Sequence, residues 1–299
     1  MDNNSNTAAS IFYMISGMAI LGFIDNFVVV ISPEVGLWQF HAVRSAIAVP
    51  TLLCVGAILG WQLWPNRFWP SFARNLFLSG AMIFYFGGLG FFPIAAVAAG
   101  LFTAPVLVMF IDAVWSKRSI GPIRLLFAVI GFAATLLVLK PDVGAFGWPN
   151  LIPVIGGMLY AIGNVATRKW CEGESAVPLL WGYMAQMLVV GVLGALYFYV
   201  FPSDVDNFLT RGWVWPSASV WFWIVMQAMF SLVGIGCIMK AYLIGDVTYV
   251  SIFEYSMLIF ASVTAWLVFG QAVGPWAMLG IALIILTGIV IALRSARAK

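Results

Sequence analysis

The sequence predicts an all-helical integral membrane protein, with ten transmembrane helices arranged as two inverted repeats of five. Of the 299 residues, 63% are hydrophobic and only 8% are charged, whereas a soluble domain has about 45–50% apolar and about 25% charged residues. The apolar residues form long unbroken runs, which are typical of membrane-spanning helices and not of β-barrel strands, whose hydrophobicity alternates. A third observation, a sequence pattern shared by the two halves of the chain, predicts the repeats.

Charged, Pro-rich or Trp-rich breaks divide the apolar sequence into ten segments. Each segment is close to the roughly 20 residues that a helix needs to cross a bilayer. Pro50 and Pro105 fall near the middles of the second and fourth segments, where each removes a backbone hydrogen bond, so we expect kinks there. The predicted helices cover residues 9–31, 38–60, 74–92, 94–115, 121–140, 148–169, 178–201, 219–241, 246–269 and 275–293.

Basic residues are distributed very unevenly over the loops between these helices. One set of alternate loops, together with the C-terminal tail, holds 11 Lys and Arg residues, and the other set holds only Lys140 and Arg211. Loops rich in Lys and Arg stay in the cytoplasm during insertion. We therefore predict a multi-pass protein of the inner membrane with both termini in the cytoplasm. The 11 residues are Arg67, Arg74, Lys117, Arg118, Arg124, Arg168, Lys169, Lys240, Arg294, Arg297 and Lys299.

Residues 97–141 match residues 250–294 at a constant offset of 153. In each copy a long helix leads through a short loop to a Gly-Pro pair, at residues 121–122 and 274–275, and then to another long helix. Because five is odd, the second copy enters the membrane from the opposite side, as in many secondary transporters. The predicted organisation is a cytoplasmic N-terminus (1–8), a first five-helix repeat (9–141), a second inverted repeat (142–294) and a basic cytoplasmic tail (295–299).

These features resemble a known family. The chain is similar to the drug/metabolite transporter superfamily of EamA type in its ten helices, in Pro105, in its Gly-Pro pairs and in the segment GGMLYAIGNVATRKW. Its aromatic richness and short loops resemble the YddG-type exporters of aromatic and other hydrophobic amino acids. The resemblance implies export by alternating access around a cavity between the repeats. The chain departs from many members, which have Gly-Glu where it has Ser116-Lys117 and Gly270-Gln271, and it has Leu258 where the first copy has Pro105.

The sequence contains no enzyme motif, and its cysteines, Cys54, Cys171 and Cys237, lie far apart. We expect no catalytic site, metal, cofactor or nucleic-acid partner. The expected partners are a small solute such as an aromatic or hydrophobic amino acid, the lipid bilayer and, where transport is coupled, protons; the protein is expected to be a monomer or a weak oligomer. The alternatives are a drug or other metabolite exporter, a lipid scramblase with a polar stripe open to lipid, and a membrane scaffold with a larger soluble face.

Ionisable residues within the predicted helices are the first candidates for function, because a charge at membrane depth is costly unless it is paired or hydrated. Asp25 could pair with His41 or Arg44 near the outer ends of the first two helices, either as a gate or as a fixed structural pair. His41 could also carry a proton. Lys240 and Glu254 form the corresponding candidate pair on the cytoplasmic side, where Glu254 could also meet a substrate ammonium group or accept a proton.

A polar stripe on the sixth predicted helix indicates a substrate cavity. Tyr160, Asn164 and Thr167 follow each other at spacings of four and three, so they share one helix face. The alternative is simple hydrogen bonding between helices, which contributes only about 0.6 kcal/mol per bond in membrane proteins. The other predicted lining residues are Tyr85, Gln186, Gln227, Ser231, Glu254 and Tyr255.

Overall fold

The computed structural model describes residues 3–88, 91–92, 94–117, 119–140 and 151–297. Helices make up 81% of the structure, and the described residues contain no β-strand. The prediction of an all-helical protein is therefore confirmed. The connection between the two predicted repeats, with the expected start of the sixth helix at residue 148, lies outside the described residues.

The first half of the chain contains seven helices within the described ranges. A 3-10 segment, Asp25–Phe27, joins the first two of them into one interrupted helix. The predicted fourth helix is also interrupted, at residues 102–103, just before Pro105. The helices are α1 (Asn3–Ile24), α2 (Val28–Ile31), α3 (Leu37–Leu59), α4 (Phe68–Gly88), α5 (Ile94–Leu101), α6 (Ala104–Ser116) and α7 (Pro122–Leu139).

The second half of the chain contains six α-helices within the described ranges. A 3-10 segment, Ser251–Tyr255, interrupts the predicted ninth helix, and no break was expected from the sequence there. The helices described in this half are α8 (Ile152–Trp170), α9 (Ala176–Val200), α10 (Ala218–Ile244), α11 (Val247–Val250), α12 (Ser256–Phe269) and α13 (Pro275–Arg297).

Eight helical stretches in the described part of the chain are long and apolar enough to cross a membrane. Helices α4 and α8 are also long, with 21 and 19 residues, but they carry more polar side chains and pack against each other. The structure thus supports a multi-pass membrane protein. The eight stretches are Thr7–Ile31, Leu37–Leu59, Ala95–Ser116, Pro122–Leu139, Ala176–Val200, Ala218–Ile244, Val247–Phe269 and Pro275–Leu293.

Helix α4 begins at Phe68, six residues before the predicted start. Pro70 lies in its first turn, where proline is well tolerated, and Glu174 accepts hydrogen bonds from the backbone N–H groups of Asn66 (3.0 Å) and Arg67 (2.7 Å) just before the helix. Because the helix begins at Phe68, Arg74 lies inside α4, where its side chain is buried. Its inclusion among the loop residues was wrong, and the count of basic residues becomes 10 against 2.

Several of the main helix contacts recur when the two halves of the chain are exchanged. In this exchange α1 corresponds to α8, α3 to α9, α4 to α10 and α7 to α13. The packing of α1 on α10 is then equivalent to the packing of α4 on α8. The contacts of α3 with α9 and of α7 with α13 then join corresponding helices. The interrupted helix α5–α6 packs against α8, as α12 packs against α1.

Helix boundaries follow the offset of 153 that the sequence contains. Lys117 and Gly270, which are 153 residues apart, both adopt a left-handed backbone (φ 51° and 65°) and end α6 and α12. Glycine adopts this conformation freely, whereas lysine does so rarely. The other matching boundaries are Ile94 with Val247, Ser116 with Phe269, and Pro122 with Pro275.

Glycine allows the backbones of α3 and α9 to approach closely. A Cβ atom on Gly191 of α9 would lie 2.4 Å from the backbone nitrogen of Ala42 in α3. Small residues at such positions let two helix backbones approach within a membrane. The contact fixes α3 and α9 beside each other, and each of these helices contributes a side chain to the cavity described next.

Candidate substrate cavity

A cavity of about 120 Å³ lies within the bundle and is lined by residues of both halves. Its wall combines charged, hydroxyl and amide groups with a larger apolar surface of aromatic and thioether side chains, including Phe86, Phe102, Met82 and Met257. The charged residues of the wall are Asp25, Arg44, Arg74 and Glu254, and the neutral polar ones are Tyr85, Tyr160, Asn164, Tyr183 and Ser231.

Seven residues that the sequence singled out line this cavity together. The two predicted groups, one near the outer helix ends and one on the polar stripe, meet in the same space, which the sequence did not predict. Both acids of the cavity lie in the 3-10 segments that interrupt α1–α2 and α11–α12. The seven residues are Asp25, Arg44, Tyr85, Tyr160, Asn164, Ser231 and Glu254.

Glu254 is buried and hydrogen-bonded to neutral groups. It accepts hydrogen bonds from the Tyr242 hydroxyl at 2.5 Å and from the Asn164 amide nitrogen at 3.5 Å. No ion pair joins Glu254 to its predicted partner, Lys240, in the described part of the chain. Lys240 and Tyr242 are two residues apart on α10, so they point to different sides of the helix. Tyr242, and not the predicted Lys240, is therefore the partner of Glu254 on α10.

Asp25 accepts a hydrogen bond of 3.1 Å from the Gln227 amide nitrogen, which also lies 3.3 Å from the carbonyl oxygen of Ile24. Gln227 therefore stands behind Asp25 instead of lining the cavity. The predicted ion pair of Asp25 with Arg44 or His41 is not formed among the described residues. Arg44 instead donates to His41 Nδ1 at 3.3 Å, since the two side chains lie one turn apart on α3.

Arg74 is a cavity residue that the sequence analysis missed. Its side chain is almost fully buried, with 1% exposure. It donates to the Thr167 hydroxyl through Nε and to the side-chain oxygen Oδ1 of Asn75 through Nη1, both at 2.6 Å. Thr167, predicted to line the cavity, therefore acts by holding Arg74. The signal that could have revealed Arg74 is Pro70, which favours a helix start before residue 74.

Two predicted residues face other parts of the bundle. Tyr255 donates to a backbone carbonyl of α7 at 3.2 Å. Gln186 lies in a groove on the side of the bundle between α4 and α9, where it accepts from the Ser79 hydroxyl at 3.3 Å and donates to the Phe72 carbonyl at 3.1 Å. Tyr183, three residues earlier on α9, faces the cavity in its place.

Ion pairs in the described residues lie at the ends of helices and leave the cavity charges free. Lys169 pairs with Asp112 at 3.0 Å, and the others join Arg124 to Asp246 at 3.1 Å and Arg211 to Asp206 at 2.9 Å. Across the part of the chain that the structure describes, none of the four charged residues in the cavity wall has an oppositely charged partner within 4.0 Å. These groups can therefore interact with a solute.

The three cysteines differ in their surroundings. Cys171, just after α8, is buried, and this burial raises the pKa of its thiol. Cys54 is exposed on α3 and Cys237 is half-buried on α10. No group of His, Cys, Asp and Glu in the described ranges is arranged to hold a metal ion.

A bundle of apolar helices around a charged and aromatic cavity is the architecture of a membrane transporter. In fold, the chain is similar to a solved structure described only as "Crystal structure of protein", with a TM-score of 0.76, 20% identity and coverage of 100% of both chains. No protein-family model matches the chain.

Its sequence is similar to those of several bacterial transporters. A riboflavin transporter of Vibrio cholerae serotype O1 is 22% identical over 95% of this chain and 81% of its own. An S-adenosylmethionine uptake transporter of Rickettsia bellii is 20% identical over 80% of this chain and 76% of its own. The aromatic amino acid exporter YddG of Ancylobacter novellus is 25% identical over 74% of both chains. These similarities support a role in membrane transport and not in catalysis.

Proposed function

We propose that this protein is a secondary transporter that exports small amphipathic metabolites through the inner membrane, with aromatic and other hydrophobic amino acids as its substrates. The observation that carries this proposal is the central cavity, where four charged side chains share one space with aromatic and thioether groups. A solute with a charged head and an apolar ring fits such a lining. Ligand sites in proteins commonly combine apolar walls with a few polar groups in this way.

Alternating access between two inverted halves is the proposed mechanism. Two observations support two related halves: several helix contacts recur when the halves are exchanged, and several helix boundaries lie 153 residues apart. Within this proposal α4 and α8 complete ten membrane crossings. Their polar side chains avoid lipid because the two helices pack against each other and line the cavity.

The proposed orientation places both termini in the cytoplasm. The basic residues in loops and near helix ends, counted without Arg74, favour one side by 10 to 2. In this orientation the contact between Glu34 and the start of α10, where the backbone N–H of Ser217 donates to the carboxylate at 2.7 Å, lies outside. The equivalent contact of Glu174 at the start of α4 lies inside.

The interrupted helices are the proposed moving parts. Helix interruptions near the middle of a membrane free backbone groups at the binding site and are common in carriers. Asp25 and Glu254 lie in such interruptions and face the same cavity. We assign Asp25, with Arg44 and His41 nearby, to the outer gate, and Glu254 to proton coupling. We assign Lys240, near the end of α10, only the role of a basic residue that helps to set the orientation in the membrane.

Other small metabolites are the second candidate, because the riboflavin and S-adenosylmethionine transporters are similar to the chain over as much of its length as the exporter is. A lipid scramblase is less well supported. The groove between α4 and α9 does contain Ser71, Asn75 and Ser79, but these side chains are buried. The exposed wall of that groove is apolar, with Trp64 and Phe68 among its residues.

The test is uptake of labelled phenylalanine and tryptophan into proteoliposomes, with and without an imposed pH gradient. Riboflavin and S-adenosylmethionine are measured in parallel, and protein-free liposomes give the background. Uptake of the amino acids above background supports the proposal. Uptake of riboflavin or S-adenosylmethionine alone would replace the proposed substrate class, and no uptake of any of these solutes would contradict the transporter assignment for them.

A further inference from the structure

Two arginines in the cavity wall lack an acidic partner. Arg44 on α3 and Arg74 on α4 are both buried, with exposures of 4% and 1%, and neither forms an ion pair within the described residues. A buried guanidinium without an acid is unfavourable unless water or an anionic ligand meets it. Both residues line the cavity, where a ligand can reach them.

The hydrogen bonds that these arginines form use only part of their donor capacity. Arg44 donates to His41 and lies over the ring of Phe40, with its central carbon 5.2 Å from the ring centroid. Its Nε is buried and has no hydrogen-bond partner. A guanidinium group has five N–H donors in a planar fork, so each arginine retains donors for a further acceptor.

Tyr183 on α9 lines the same cavity as the two arginines. Its side chain is buried, with 3% exposure. Its hydroxyl group can donate a hydrogen bond to an anion in the cavity. The acids Asp25 and Glu254 line the same cavity from other elements of the chain, the two 3-10 segments.

We propose that Arg44, Arg74 and Tyr183 form a binding site for the carboxylate group of the transported solute. This inference rests on the proposed transport function and adds a requirement to it. A planar carboxylate fits the fork of a guanidinium group, and such charge-assisted bonds are stronger than those between neutral groups. The protein then moves organic acids and amino acids, and it does not move amines that lack an acidic group.

An amino group is not required by this site. In an amino acid it would lie toward Asp25 or Glu254, where the carboxylates accept hydrogen bonds from neutral donors only. The carboxylate site thus predicts that a keto acid binds almost as well as the corresponding amino acid, whereas the corresponding amine does not bind.

The first test uses the unmodified, detergent-purified protein and four probes with the same ring. Thermal unfolding is followed with phenylalanine, phenylpyruvate, phenethylamine and benzylphosphonate over a range of concentrations. The expected result is stabilisation by phenylalanine and phenylpyruvate, with at least about tenfold weaker binding of phenethylamine. Equal or tighter binding of phenethylamine would overturn the inference. Binding of benzylphosphonate at least about tenfold tighter than that of phenylpyruvate would overturn the choice of a carboxylate.

The second test uses Arg44→Gln, Arg74→Gln and the milder Tyr183→Phe. We expect the Kd for phenylpyruvate to rise about tenfold or more in the arginine variants and by a smaller factor in Tyr183→Phe. The matched control is Arg168→Gln, because Arg168 donates to the Leu243 carbonyl outside the cavity. Unchanged Kd values in folded variants would overturn the inference, and the first test decides the question if an arginine variant does not fold.

The outcomes separate this inference from the proposed function. If the unmodified protein transports phenylalanine but also transports phenethylamine equally well, the carboxylate site is wrong and the transporter assignment stands. If no aromatic solute is transported or bound, the proposed function fails first.

Discussion

Arg74 donates a hydrogen bond of 2.6 Å to the hydroxyl of Thr167, and this bond joins α4 to α8 at the cavity. In the other half, Gln227 of α10, 153 residues after Arg74, donates at 3.1 Å to Asp25, which directly follows α1. Each of these contacts joins one half of the chain to the other. The relationship supports a cavity built between two related halves of the chain.

The orientation in the membrane can be tested with reporters. A reporter fused after Lys299 is expected to be cytoplasmic, and one inserted near Asp206 is expected to be extracytoplasmic, because the basic residues favour one side by 10 to 2. Paired alkaline phosphatase and fluorescent protein fusions measure both positions. The same location for both reporters would require an even number of crossings between them and would contradict two inverted halves.

The contact between α3 and α9 predicts a strong effect of a single methyl group. Gly191→Ala places a Cβ atom 2.4 Å from the backbone nitrogen of Ala42, which cannot move aside easily. Overpacking of this kind costs roughly 1–3 kcal/mol, so the unfolding midpoint should fall by several degrees in detergent. The control Gly236→Ala meets only a leucine methyl group, at 3.4 Å, and should unfold like the original protein. Equal midpoints for both variants would contradict the close packing.

Much of the fold could be predicted from the sequence, because long apolar segments and their polar breaks directly report membrane-spanning helices. The predicted helix at 246–269 differs by one residue at its start from the stretch Val247–Phe269. The larger error, at the start of α4, arose because Arg74 was taken to mark a loop. Whether an arginine lies in a loop or is buried between two helices depends on its tertiary contacts. Local sequence patterns do not contain these contacts.

The candidate site was only partly predictable for a similar reason. Helical spacing predicts that Tyr160 and Asn164 share one face, because this depends on a single helix, and both residues line the cavity. The directions of Gln186 and Tyr183 depend on how α9 is rotated against α4, and the partner of Glu254 depends on the path of the chain between α10 and α12. No sequence spacing encodes these relationships.

Glu254 provides a test of proton coupling. Glu254→Gln keeps the shape of the side chain and removes its ability to bind and release a proton. We expect this variant to lose the dependence of uptake on a pH gradient while counterflow exchange of phenylalanine continues, measured in proteoliposomes. Glu172→Gln, in the exposed loop after α8, should behave like the original protein. Uptake by the original protein that ignores the pH gradient would instead indicate facilitated diffusion.

The surroundings of Cys171 predict slow reaction with thiol reagents. Burial raises the pKa of this thiol, so near pH 7 less of it is thiolate, the reactive form. With Cys54 and Cys237 replaced by serine, maleimide labelling should be slow at pH 7 and rise with pH. In the matched variant Cys171 is also replaced by serine and Glu172→Cys carries the exposed thiol, which should react much faster. Equal labelling rates at pH 7 would contradict the burial of Cys171.

Accessibility of the cavity wall from water tests the account most directly. In a protein without its natural cysteines, Ser231→Cys places a thiol in the cavity, and Val233→Cys places one two residues away on the outer surface of α10. We predict that a water-soluble maleimide labels Ser231→Cys, that phenylalanine slows this labelling, and that Val233→Cys does not react within the bilayer. If Ser231→Cys remains unlabelled under every condition while transport continues, the solute does not pass through this cavity.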